Sequence, residues 1–294
     1  MEENKFSIAG IWNESLEKGK YEIKSRNYIS ASDIGKSMLD RWLKMKGTPE
    51  TNPYDTRVLR IFAAGNEFHH LIRKVFEKIG LIIDAERYSE IPENEKHLKI
   101  LGYYDLKLGG KVNVEEAGKR IREYGFSEFI ESKALSLLHY FAEKYPNGLN
   151  QVIAEVKSVN SNAFWSKKDY LSEAYPWHIL QLYTYLKALN IPEGKLLYIS
   201  KDDLSLVEHS VLYPTNSLED RWNEDVEKIT VHYLENTEPK AEPDIVFNQR
   251  KGKAGLWEVN WMLARSPYLT KITGLSSADW EKKAKEAVKA KNKK

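Results

Sequence analysis

The sequence predicts a mixed α/β fold, and three observations carry that expectation. Apolar residues recur at threes and fours over two long stretches, short runs rich in β-formers lie between and after them, and polar reversals join those runs in pairs. No internal repeat and no Gly/Ser- or Pro-rich linker interrupts the chain, so one domain over 1–294 is expected.

Residues 1–80 read as the N-terminal helical part. Ser30 and Ser32 with Asp33 supply capping oxygens for a helix running to about Lys46, and a second helix, from about Asp55 to Ile79, stops at Gly80. The core is expected over 81–212. Leu81 to Ile91 and Leu98 to Leu108 read as a hairpin turned at Pro92-Glu93-Asn94-Glu95. A helical insert follows at about 110–148, where Ile121, Phe126, Phe129, Ile130, Leu135, Leu138 and Phe141 carry the spacing. Gln151 to Val156 returns as a strand. A helix from about Pro176 to Asn190 leads into a strand pair, Lys195 to Ser200 and Leu204 to Leu212, turned at Asp202-Asp203. Over 213–294 a helix from about Ser217 to Glu235 precedes a polar, Pro-containing loop and a solvated lysine-rich tail through Lys289, Lys291, Lys293 and Lys294.

Composition excludes several classes. With 41% hydrophobic and 30% charged residues the chain is neither disordered nor fibrous. No run approaches the roughly 18 apolar residues of a membrane helix, and Met1-Glu2-Glu3-Asn4-Lys5 lacks the basic-then-apolar order of a signal peptide, so a cytoplasmic protein without a membrane partner is expected. Zero cysteines remove disulfides, thiol nucleophiles, thiolate zinc sites and cysteine-ligated iron-sulphur clusters together. Any metal must sit on His, Asp or Glu. Lys+Arg 45 against Asp+Glu 43 leaves +2, so a surface for an anionic partner must be local.

Four short patterns carry the chemistry. In Glu155-Val156-Lys157 an apolar run leads into the pair, and period-2 alternation sets Glu155 and Lys157 on one face of a strand end. There the carboxylate suits a hard cation while the amine positions water or offsets developing charge; an edge-strand ion pair is the competing reading. Asp105 closes Gly102-Tyr103-Tyr104-Asp105 inside a β-like stretch, where an acid needs water or a cation. In Gly65-Asn66-Glu67-Phe68-His69 a mid-helix glycine one turn before His69 implies close approach by a ligand or by another element, and His69 borders the apolar stripe of Phe68, Ile72, Val75 and Phe76. In Gln181-Leu182-Tyr183-Thr184-Tyr185, Gln181 and Tyr185 share a helix face that Trp177 extends. Amide, phenol and indole suit phosphates and bases, and equally a helix packed on a sheet.

In order and type these four patterns resemble the motifs of the PD-(D/E)XK nuclease superfamily, in its RecB-like branch that includes the CRISPR-adaptation exonucleases. The resemblance covers about Ile29 to Leu212. It implies a restriction-endonuclease-like αβββαβ core with N-terminal helices and a helical insert, and a Mg²⁺- or Mn²⁺-dependent DNA nuclease. Residue by residue it makes His69, Asp105 and Glu155 metal ligands, joined by the carbonyl of Val156, and Lys157 the catalytic lysine beside Asp105 and Glu155. Gln181 and Tyr185 would hold the DNA, at its ends or as single strands, and brace the site; from its place on the same helix face, Trp177 is a further candidate for contact with the DNA. Because imidazole suits Mn²⁺ better than Mg²⁺, the His69 ligand implies higher activity with manganese.

Two departures from the family pattern stand out. Many relatives bind an iron-sulphur cluster through four cysteines, and this chain has none; packing of Trp257, Trp261 and Tyr268 is expected to tie the C-terminal segment to the N-terminal helices instead. The 110–148 insert replaces a short connection. A clamp over DNA, a protein-partner surface and a surface elaboration all fit it, and alternation of Lys119, Arg120, Arg122 and Lys133 with Glu115, Glu116, Glu123 and Glu131 favours a solvated face. Lys44, Lys46, Arg57 and Arg60 are the basic residues nearest the His69 helix in sequence; they suit contact with the phosphate backbone of DNA and, equally, surface solubility. The alternatives are a nucleic-acid-binding or scaffold protein that keeps the fold without cleaving, a DNA endonuclease, and a carboxylate-pair glycosidase suggested by 17 Tyr and 8 Trp.

Overall fold

The structure, a computed structural model, describes residues 7–19, 24–123, 125, 127–165, 173–248 and 255–293. Phe126, Lys294 and the opening Met1-Glu2-Glu3-Asn4-Lys5 lie outside the described residues. In chain order the elements are α1 Ile8–Lys18, β1 Ile29–Ser30, a 3-10 turn Ala31–Asp33, α2 Met38–Met45, α3 Thr56–Lys78, β2 Ile82–Ile91, β3 Ile100–Gly110, α4 Val114–Glu123 and α5 Glu128–Lys144. There follow β4 Leu149–Val159, α6 Ser161–Trp165, α7 Pro176–Leu189, β5 Glu193–Ser200, β6 Leu206–Leu212 and α8 Asn216–Leu234. The last are β7 Ile245–Asn248, β8 Leu256–Val259, α9 Trp261–Ala264, α10 Leu269–Thr273 and α11 Ser277–Asn292. Two compact units form, one of Ile29–Ile34 and Phe62–Asp225, the other of Met1–Tyr28, Gly35–Ile61 and Val226–Lys294.

The first unit is built on a mixed sheet. β2 and β3 pair antiparallel from Ile82↔Leu108 to Ile91↔Ile100, β4 joins β3 antiparallel at Leu106↔Ala154 and Leu108↔Val152, and β5 runs parallel to β4 with Glu155↔Leu196 and Lys157↔Tyr198. The order α3, β2, β3, β4, α7, β5 is the expected αβββαβ, extended by β6. Since β2 occupies one edge of β3, β1 and β4 share the other. There β1 takes Ile100 and Leu101, β4 takes Leu106 to Gly110, and β3 and β4 part between them. α3 lays Ile72 and Phe76 on Leu106, Leu108 and Ala154. α7 buries Leu180 to Leu186, seating Leu182 where Gly194 has no side chain; a Cβ there would lie 2.8 Å from Leu182. The insert is a helix pair that closes a core of its own, Ile79, Leu81, Val112, Ala117, Ile121 and Leu138. Its outward charges pair locally, Arg120 with Glu116 at 2.7 Å, Lys119 with Glu123 at 3.9 Å and Arg122 with Glu131 at 3.9 Å, a solvated face of the kind the alternating pattern predicts.

The sequence reading needs correction at both ends. The helix expected from Ser30 to Lys46 is split: Ile29 and Ser30 are strand, the 3-10 turn ends at Ile34, and Gly35 at φ 77 turns the chain. α2 starts only at Met38, where Ser37 Oγ accepts the Asp40 amide at 3.4 Å. Among the described residues, parts of the expected C-terminal loop and tail form strands and helices. β7 and β8 pair antiparallel, and α11 buries Trp280 and Ala284 against Leu263 and Leu269. Trp280 Nε1 donates to Asp244 Oδ1 at 2.6 Å, and the Asn292 amide makes two 2.9 Å bonds to the Trp257 backbone. Lys289, Lys291 and Lys293 are exposed, as expected of them, but on or beside a helix. Among the described residues no helix is long and apolar enough to cross a membrane.

Of the three aromatics expected to tie the C-terminal segment to the N-terminal helices, one does so. Tyr268 is 1% exposed and packs with Leu39 and Leu43 of α2. Trp261 is 43% exposed beneath Arg265, and Trp257 packs edge-on against Phe247 with ring centroids 5.6 Å apart. Tyr268→Ala should therefore cost about 3 kcal/mol in chemical denaturation, whereas Trp261→Ala should stay within about 1 kcal/mol of the parent.

Candidate functional site

The parting of β3 and β4 opens the sheet beside Asp105. Asp105 Oδ2 reaches across it to accept the backbone N–H of Val156 at 2.7 Å, while Oδ1 lies 3.2 Å from His69 Nδ1 of α3. That bond, more than the opposing burial, holds the His69 imidazole above the ordinary histidine range, and the carboxylates of Asp105 and Glu155 add to it.

Glu155 occupies the next position on β4. It is 2% exposed; Oε1 accepts from Lys157 Nζ and from Gln181 Nε2, both at 2.7 Å, and buried Oε2 has no hydrogen-bond partner. Burial, followed by the Asp105 charge, pushes its carboxyl up to about 7 against the pull of Lys157. Lys157 also meets Gln181 Oε1 at 3.1 Å; burial lowers its ammonium, but Glu155 and Asp105 outweigh that and leave it above the ordinary lysine range. A buried carboxylate oxygen without a donor is a costly feature to keep unless something else satisfies it.

α7 braces this group. Gln181 Nε2 donates to Tyr185 Oη at 3.1 Å as well as to Glu155, and burial drives the Tyr185 hydroxyl far above the usual phenol range, so it stays neutral. Tyr185 in turn fills the place of a missing side chain, since a Cβ on Gly102 would lie 2.7 Å from its ring and 2.7 Å from Ala31. Gly65 likewise has a partner: a Cβ there would lie 3.2 Å from Ser158 Oγ. The close approach inferred from a mid-helix glycine is thus made by the end of β4.

His69, Asp105, Glu155, Val156, Lys157, Gln181 and Tyr185 are brought together. Trp177 stacks on Tyr175, with ring centroids 4.7 Å apart, one turn before Gln181. Arg60 belongs to the second unit, where it bonds Asn13 and lies over Trp12. Lys46 there donates to the Tyr233 carbonyl at 3.2 Å. Sequence reasoning missed the bond from Val156 N–H to Asp105, which no side-chain pattern signals.

The donor set fits a hard divalent cation. Among the described residues no three His, Asp or Glu side chains stand ready-made around one point. The partnerless Glu155 Oε2, with Asp105 and His69 beside it, nonetheless offers oxygen and nitrogen ligands of the right chemistry.

Two outcomes follow. In EDTA, both Glu155 and His69 bind protons more tightly folded than unfolded; the His69 contribution is complete below about pH 6.5 and is lost above it, whereas the Glu155 contribution is complete below about pH 4.5 and is lost as pH rises through about 7. Denaturation of wild type against Glu155→Gln should show wild type losing about 3 kcal/mol relative to the variant across that window. Gly102→Ala should cost about 1–3 kcal/mol through its clash with Tyr185 and Ala31, read by thermal melting.

The chain matches no protein-family model and no curated protein in sequence. Solved structures to which it is similar include SSO0001, at TM-score 0.45 and 15% identity over 79% of this chain and 87% of that one. They also include an alkaline exonuclease, LHK-Exo, from Laribacter hongkongensis, at TM-score 0.43 and 12% identity over 77% and 93%. The same exonuclease in complex with dAMP is similar at TM-score 0.42 and 12% identity over 71% and 88%.

Proposed function

We propose that the chain, read as one nuclease over 1–294, is a divalent-metal-dependent DNA nuclease, an exonuclease acting on linear or single-stranded DNA in recombination, repair or mobile-element DNA processing. The single observation that carries the reading is the buried cluster Asp105, Glu155 and Lys157, in which one carboxylate oxygen has no partner. A fold kept only for binding or scaffolding has no physical reason to bear that cost.

Asp105, Glu155 and His69, with the carbonyl of Val156, are the residues that would hold Mg²⁺ or Mn²⁺. When bound, the cation supplies Lewis-acid polarisation of a phosphodiester and a more acidic water. Lys157, kept protonated by its carboxylates, orients a water or offsets the charge that gathers on phosphorus oxygens. Gln181 fixes both Glu155 and Lys157, so their separation does not depend on the substrate. Tyr185 remains a neutral brace behind Gln181. Trp177, with Tyr175, offers a stacked aromatic pair to a base. With no cysteine in the chain, no cysteine-ligated iron-sulphur cluster takes part.

The test is degradation of end-labelled linear single- and double-stranded DNA beside closed circles in Mg²⁺, Mn²⁺ and EDTA. Linear substrates should be lost only with metal, faster in Mn²⁺ because of His69, and Lys157→Ala should reduce the rate at least about 100-fold. Cleavage of circles would replace the exonuclease with an endonuclease. Binding without cleavage in any metal would overturn the catalytic reading.

A further inference from the structure

Gly65 marks a second polar notch. The glycine removes the side chain from one face of α3, and into that space come the Ser158 hydroxyl at the end of β4 and the Lys201 ammonium just past β5; a Cβ on Gly65 would lie 3.2 Å from the first and 3.9 Å from the second. Lys201 is pinned at its backbone, its N–H donating to the Val159 carbonyl at 2.8 Å. All three residues are half-buried, so the notch is open to solvent while its cation is partly withdrawn from it. His69 lies one turn farther along α3, about 6 Å.

We propose that Lys201 and Ser158, brought together over Gly65, form a phosphate subsite beside the candidate metal site, holding a phosphate of the DNA strand near the scissile one. The inference rests on the nuclease reading and adds a residue that the four sequence patterns do not contain. Its chemistry is that of an anion site: an ammonium and a hydroxyl donor that the missing side chain of Gly65 lets approach one another. Burial draws the Lys201 ammonium below the ordinary lysine range, with Asp202 pulling the other way, so an arriving phosphate gains from meeting it. His69, Asp105 and Glu155 would then act on one phosphate while Lys201 fixes the register of the chain.

The experiment is equilibrium binding of a labelled single-stranded oligonucleotide with hydroxyl groups at both ends, in Ca²⁺ over a salt series. The proteins compared are Lys157→Ala, which removes turnover, and the same variant carrying K201M or K201R. Loss of the Lys201 contact should weaken binding roughly tenfold at low salt and make log K against log salt shallower by about 0.7, one released counterion for a single strand. K201R should restore both. If the effect appears only after a terminal phosphate is added to the oligonucleotide, the subsite holds the strand's end; if it is already present, it holds an internal phosphate. An unchanged slope in K201M, or a loss that arginine does not rescue, overturns the subsite while wild-type cleavage leaves the nuclease reading standing. Failure of wild type to cleave and of the parent variant to bind overturns both.

Discussion

The structure depends on the parting of β3 from β4. Up to Leu106 and Ala154 the two strands share a ladder, and past that point β1 takes over the same edge of β3. A sheet normally leaves no backbone donor buried without an acceptor. Here the gap leaves the Val156 N–H to be satisfied by a side chain, and Asp105 satisfies it. One interaction thereby closes the backbone account of β4 and fixes a carboxylate at the mouth of the opening, beside Glu155 and within reach of α3. With the ladder continued, Asp105 would have neither the space nor the reason to turn inward.

The two helices then divide the work. α3 supplies His69 and packs Ile72 and Phe76 on the ladder that remains, so the imidazole is held by the same packing that holds the sheet. α7 supplies no charge. It contributes an amide and a phenol, arranged so that Gln181 holds a carboxylate and an ammonium at once and Tyr185 backs it from the place Gly102 vacates. Neutral groups are suited to that task, because they fix geometry inside a buried site without adding another charge to desolvate. Within this cluster, among the described residues, the oxygen left unsatisfied is Glu155 Oε2. In a site so fully braced elsewhere, that gap marks where a cation would gain the most.

The second unit follows a different logic. Its elements are held by a few anchors, among them Trp280 on Asp244, Asn292 on the Trp257 backbone, and Tyr268 against Leu39 and Leu43. In a chain without cysteines, aromatic burial and side-chain-to-backbone bonds supply cross-links over long sequence separations. Only one of the three aromatics that looked suited to this task performs it. Composition identifies large apolar side chains, but which of them is enclosed depends on how close the partner helix lies.

By itself the sequence determined the mixed α/β class, the αβββαβ order, the helix stop at Gly80, the helical insert with its solvated face, and the local spacing within each pattern. These follow from periodicity, turn residues and glycine, which act over a few residues and are written into neighbouring positions. It also singled out Gly65 as a site of close approach. Tertiary structure alone decided that Ser158 and Lys201 are what approach it, that Gly35 splits the expected first helix, that the lysine-rich end is a helix anchored by Trp280, and that Asp105 spends one oxygen on Val156 and the other on His69. Those outcomes depend on pairs separated by tens to hundreds of residues. Hydrogen bonding and burial between such pairs are settled by where the strands part and how the helices cross them, and no local pattern encodes that.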